Sequence, residues 1–124
     1  MAAPNIVNVS TITAKTAYTT PASTSATVLL ANAASSGKVF KVNVCLAANV
    51  NGSNNITTTI ALNSNAAGSG TSYPIASTIS VPPTATISVI DKSTAIYLEE
   101  DRSIVVTSGT ANGITYTVSY EEIS

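Results

Sequence analysis

Ile114-Thr115-Tyr116-Thr117-Val118-Ser119-Tyr120 alternates, position by position, between a large side chain and a small hydroxylated one. In an extended strand successive side chains point to opposite faces. This spelling therefore puts Ile114, Tyr116, Val118 and Tyr120 on one face and Thr115, Thr117 and Ser119 on the other. The same two-residue period runs upstream. In Lys38-Val39-Phe40-Lys41-Val42-Asn43-Val44 it predicts Phe40, Val42 and Val44 inward, with Lys41 and Asn43 outward. Ile56, Thr58, Ile60 and Leu62 repeat it, as do Ile87 with Val89 and Ile104 with Val106.

Turn signals separate these runs. Ser35-Ser36-Gly37 precedes one strand, and Pro82-Pro83 breaks any ladder because neither residue donates a backbone hydrogen bond. Asn51-Gly52 and Asn112-Gly113 read as tight hairpins, since both residues of each pair accept positive φ. Residues 66–72 form a Gly/Ser/Ala loop, read as flexible, and Glu99-Glu100-Asp101-Arg102 a charged turn. About eight strands follow, at roughly 6–12, 26–31, 38–48, 55–63, 72–80, 85–91, 95–99 with 102–108, and 114–122. No segment carries helical periodicity over three turns. The expected fold is all-β, an antiparallel two-sheet β-sandwich of jelly-roll or immunoglobulin-like type. The missing Cys…Trp…Cys spacing excludes an antibody-type domain. Residues 26–124 form the sandwich. Residues 1–25, with Pro4, Pro21 and weak periodicity after Ile12, allow two readings. They are either a first strand with a long loop, or an extended arm that adds a strand to a neighbour's sheet edge.

Only 9% of the 124 residues are charged and none is histidine, while Ser, Thr, Ala and Asn exceed half of the chain. Soluble domains carry about a quarter charged residues. Such depletion suits faces that pack against neighbours. Without histidine, Ser-His-Asp and Cys-His arrangements cannot form. Five cations (Lys15, Lys38, Lys41, Lys92 and Arg102) make no phosphate-binding stripe, so no nucleic-acid partner is expected. No run is long and apolar enough to predict a membrane span, and Met1-Ala2-Ala3-Pro4-Asn5 has no signal-peptide character.

The remaining motifs predict no catalytic, cofactor or metal site. Cys45 is alone in an apolar stretch and reads as a small buried hydrophobe. Ser35-Ser36-Gly37-Lys38 matches a Ser-x-x-Lys pattern without the helix and companion motifs that chemistry needs. Gly68-Ser69-Gly70 lacks the Lys and helix of a phosphate loop. Of six acids, Asp91 stands apart, Glu99, Glu100 and Asp101 share the turn, and Glu121 and Glu122 lie near the C-terminus. Adjacent strand residues point to opposite faces, so Glu121 and Glu122 cannot converge on one ligand without a bulge. Tyr97, Tyr116 and Tyr120 fall within strands, where packing with the hydroxyl at the rim accounts for them.

Three stretches carry a resemblance: residues 73–82 (Tyr-Pro-Ile-Ala-Ser-Thr-Ile-Ser-Val-Pro), 96–104 (Ile-Tyr-Leu-Glu-Glu-Asp-Arg-Ser-Ile) and 118–124 (Val-Ser-Tyr-Glu-Glu-Ile-Ser). With the strand and following residues from Gly37 to Gly52, they resemble small β-rich virion structural proteins of tailed bacteriophages, notably marine and cyanobacterial ones. Those have a tyr-leu-glu-glu-gly-asp-ser turn and a val-ser-tyr-glu-glu-ile ending. This chain departs at the turn, where Asp101-Arg102 replaces gly-asp. Asp tolerates a left-handed backbone better than most residues, so the turn is expected to survive.

The resemblance implies a non-enzymatic virion protein, made in the host cytoplasm, with no cofactor. The expected role is capsid decoration or cement, as a homo-oligomer whose partners are the major capsid protein or other virion proteins. The alternatives are a neck, tail or baseplate component, or a carbohydrate-binding module that attaches particles to a host surface. The last would need an exposed aromatic cluster.

Overall fold

A computed structural model describes residues 8–124. It contains nine strands: β1 (Ile12–Thr19), β2 (Thr27–Asn32), β3 (Val39–Asn49), β4 (Ile56–Asn63), β5 (Ser72–Val81), β6 (Thr86–Ile90), β7 (Ile96–Leu98), β8 (Arg102–Ser108) and β9 (Ile114–Ile123). A single 3-10 turn, Lys92–Thr94, separates β6 from β7. All pairings are antiparallel. The first sheet runs β1-β9-β3, with β6 and β7 sharing the far edge of β3, and the second runs β2-β8-β4-β5. The chain changes sheet at every connection except β4 to β5 and the interrupted β6–β7 edge. Counting β6 and β7 as one broken strand gives two four-stranded sheets in jelly-roll connectivity, which separates it from the immunoglobulin-like alternative.

That topology corrects both expected hairpins. Asn51-Gly52 links β3 in the first sheet to β4 in the second, and Asn112-Gly113 links β8 to β9 across the sandwich. Only Asn112, at φ 57°, takes the left-handed conformation in these pairs. Asn51 turns the chain with its side chain, whose Oδ1 accepts from the amides of Ser53 and Asn54. The first strand also lies later than expected. Residues 1–7 fall outside the described residues, and the strand read at 6–12 begins at Ile12. It pairs with β9 of its own chain, from Ile12 opposite Ile123 to Thr19 opposite Tyr116.

The core is the product of the two-residue period. Val42, Cys45, Ala47, Ile60, Ile104, Val106, Ile114, Tyr116 and Val118 are fully buried between the sheets. Burying each Val- or Ile-sized side chain contributes roughly 1.5–3 kcal/mol. In β3 the alternation slips. A register shift between Val42 and Val44 inserts Asn43 as an extra residue opposite β9. A bulge of this kind changes the phase of every side chain after it. Hence Cys45, Ala47 and Asn49 point inward and Val44, expected in the core, lies on the outer face. Cys45 is buried as expected, and burial pushes its thiol up to about 11.

Three strands end on a buried asparagine. Asn32, Asn49 and Asn63 are the last residues of β2, β3 and β4, and each is at most 3% exposed. An amide side chain offers two donors and an acceptor, enough to replace the pairing that stops at a strand end. Asn32 donates to the carbonyls of Lys38 and Leu98, and Asn49 to those of Asn54 and Val81. Asn63 holds the Gly/Ser/Ala loop. Its two Nδ2 protons are shared among the carbonyls of Gly68 and Gly70 and Ser72 Oγ, and its Oδ1 accepts from the amides of Asn65 and Gly70. That loop is therefore a pinned cap on the second sheet, not the flexible connector its composition suggests. Gly68, at φ 78°, packs so closely that an added Cβ would lie 2.8 Å from Val28 Cγ2.

Candidate interaction surfaces

Residues directly opposite in an antiparallel pair share a face. With Ile114, Tyr116 and Val118 in the core, Thr115, Thr117, Ser119 and Glu121 project from the outer side of β9. Register extends this into rows across the first sheet. Tyr18 lies beside Thr117 and Leu46, Thr16 beside Ser119 and Val44, and Ala14 beside Glu121 and Lys41. Ser88 and Tyr97 continue the first and third of these rows. Thr20 and Thr115 hydroxyls bond at 2.8 Å at one end. Among the described residues the paired strands carry one facing ionic pair on this face, Lys41 and Glu121 at one end, and Asp91 and Lys92 lie in the turn that interrupts its β6–β7 edge. The rest is hydroxyl, methyl and phenol.

The second sheet is differently finished. The capping loop covers Asn63, Ser103 and Val105, with Ser103 Oγ donating to the Asn65 carbonyl at 2.8 Å. Beyond the loop lies a cleft of about 260 Å³, lined mainly by threonines (Thr24, Thr57, Thr59, Thr78 and Thr107) that present methyls as well as hydroxyls. Beneath it, Tyr116 spans the sandwich from the first sheet. Its hydroxyl donates to the Thr107 carbonyl at 3.0 Å and bonds the hydroxyl of Thr58. Desolvation raises its phenol above the ordinary range. Tyr116 is thus a core residue with an internal polar link, not a rim tyrosine. Two grooves, of about 320 and 200 Å³, adjoin at the turn between β7 and β8 and share Leu62 and Arg102.

The acids are mostly structural. Asp91 Oδ1 caps the 3-10 turn, accepting from the Ser93 amide at 2.9 Å and the Thr94 amide at 3.2 Å, and the bonds from Ser93 hold its carboxyl below the ordinary range. Glu122 faces the sandwich mouth, where Lys38 Nζ lies at 2.7 Å and Lys15 Nζ at 3.1 Å. The hydrogen bond from Lys38, followed by that from Lys15, holds its carboxyl low. Glu121 sits on the opposite face, as strand geometry demands. Asp101 takes φ 56° and its Oδ1 accepts from the Ala66 amide, while Arg102 donates to the carbonyls of Ser64 and Asp101. The charged turn thus clamps the capping loop. Among the described residues no three His, Cys, Asp or Glu side chains gather as a metal site, and no helix is long and apolar enough to cross a membrane.

Of the exposed aromatics, Tyr73 and Tyr97 each line one of the two adjoining grooves, and Tyr18 stands apart on β1. Tyr18 (70% exposed) and Tyr97 (50%) stand on the outer face of the first sheet, toward opposite edges, and Tyr73 (62%) on the outermost strand of the second. Tyr120 packs against Phe40, with ring centroids 5.1 Å apart. Sequence patterning alone could not find the outer face as one surface, because that requires the register joining β1, β9, β3 and the β6–β7 edge. The chain matches no family model and no curated protein.

Proposed function

We propose that this chain is a structural protein of a tailed-phage virion, a decoration or cement protein whose outer first-sheet face packs on the head shell. The observation that carries this reading is the near-absence of charge across that face. Interface cores are depleted of charged residues and enriched in tyrosine. Here Thr, Ser, Val and Leu fill the centre while Tyr18 and Tyr97 stand exposed toward the two sides. A packed interface desolvates its centre, and hydroxyls and methyls lose far less on desolvation than ammonium or carboxylate groups. Repetition over a lattice adds avidity, so each copy needs only modest affinity. The resemblance at residues 73–82, 96–104 and 118–124 supports the same class and implies no catalysis.

Particles stripped of the protein should lose resistance to heat, and adding it back should restore that resistance. A Thr117→Lys variant, charged at the centre of the face, should fold normally and fail to restore it. Stripped particles as heat-resistant as intact ones would overturn the cement role. A neck, tail or baseplate position is the competing placement, and copy number per particle separates the two.

A further inference from the structure

A two-sheet sandwich has four edge strands, and unpaired edges invite association unless they are blunted. Three are blunted here. β5 contains Pro74, two register breaks and Thr78 at φ 51°. β2 is six residues long and bulged between Val28 and Leu30. The β6–β7 edge is cut by the 3-10 turn at Lys92–Thr94. β1 is not blunted. It keeps unbroken register over eight residues, without proline or bulge, and exposes Ile12 and Tyr18. Its one charge, Lys15, is turned to Glu122 of the same chain.

We infer that β1 pairs antiparallel with β1 of a second copy, across a two-fold axis at Thr16, joining two first sheets into one. The occupant follows from self-complementarity. A two-fold normal to the sheet pairs residues that share a face, and only axes at Lys15 or Thr16 overlap all but one of the eight residues of the strand. The axis at Lys15 sets two ammonium groups against each other. The axis at Thr16 sets Lys15 opposite Ala17, Thr13 opposite Thr19, and the small Ala14 opposite the large Tyr18. Main-chain hydrogen bonds supply the attraction and side-chain fit the register. This inference stands independently of the virion reading.

Sedimentation of the full chain tests it, together with two variants at the exposed Thr16. The wild type should sediment at twice the chain mass, and Thr16→Lys, with unchanged circular dichroism, at the single-chain mass. Under mild oxidation Thr16→Cys should form a covalent dimer, because that residue meets its own copy. Ala14→Cys, offset by four residues from its copy, should not. A wild type that stays monomeric at its highest soluble concentration without Thr16→Cys cross-linking overturns the inference. So does a dimer that Thr16→Lys leaves intact, or an Ala14→Cys that cross-links as fast as Thr16→Cys.

Discussion

Asn63 has five hydrogen-bond partners at a site 1% exposed, and its worth lies in what it would leave behind. Asn63→Ala strands several backbone groups of the capping loop, at roughly 1–3 kcal/mol for an unsatisfied buried group. Chemical denaturation should show a loss of about 2–3 kcal/mol, and a change near zero would mean the loop holds itself. Asp101 poses a balance instead. Its left-handed backbone costs roughly 1–2 kcal/mol, which glycine would recover. Its bond to the Ala66 amide is worth about 1 kcal/mol, which glycine would lose. Asp101→Gly should therefore be close to neutral, whereas Asp101→Ala keeps the strain, loses the bond and should be clearly destabilised. Glu122 governs the acid limb. Its folded pKa lies below its ordinary 4.5, so its contribution is complete above that value and is lost as pH falls through the folded pKa. In thermal melts against pH, Glu122→Gln should be less stable near neutrality and show a shallower acid slope. Identical acid slopes would contradict the role assigned to Lys38 and Lys15.

At the scale of elements, the strand period was legible wherever a strand stayed in phase. Ile114 to Val118, Ile56 to Ile60, and Ile104 with Val106 face the core as the alternation predicts. Val44 does not, because a bulge is a pairing event between β3 and β9 and leaves no mark in the local spelling. The same limit explains Asn51-Gly52 and Asn112-Gly113. A turn dipeptide announces a reversal, but whether the chain re-enters its own sheet or crosses to the other depends on strand order. The buried asparagines were hidden differently, among many exposed ones in an Asn-rich chain. The bulge makes a direct prediction. Val44→Lys should cost little, since its side chain lies on the outer face, while Ile60→Ala in the unbulged β4 should cost about 2–5 kcal/mol. Comparable losses at both positions would mean that Val44 faces the core. The thiol of Cys45 reports the same phase. Buried and shifted up to about 11, it should resist thiol reagents in the native protein and react only on unfolding.

On the scale of the whole molecule, the two sheets are finished for different surroundings. A pinned loop and a threonine-lined cleft occupy the outer side of the second sheet, while the paired strands of the first leave a broad face with one Lys41–Glu121 pair. The low charge legible in composition thus acquires a location, which the sequence could not supply because the face is assembled from five strands. Pairing at β1 would extend that face across two copies and leave the acidic turn at Glu99–Asp101 away from the joint. Mass spectrometry of purified particles, comparing this chain with the major capsid protein, decides whether it belongs to the head shell. A copy number on the order of the shell subunit's is the predicted result. A handful of copies per particle would place the protein in the neck or tail, and none at all would contradict a virion role.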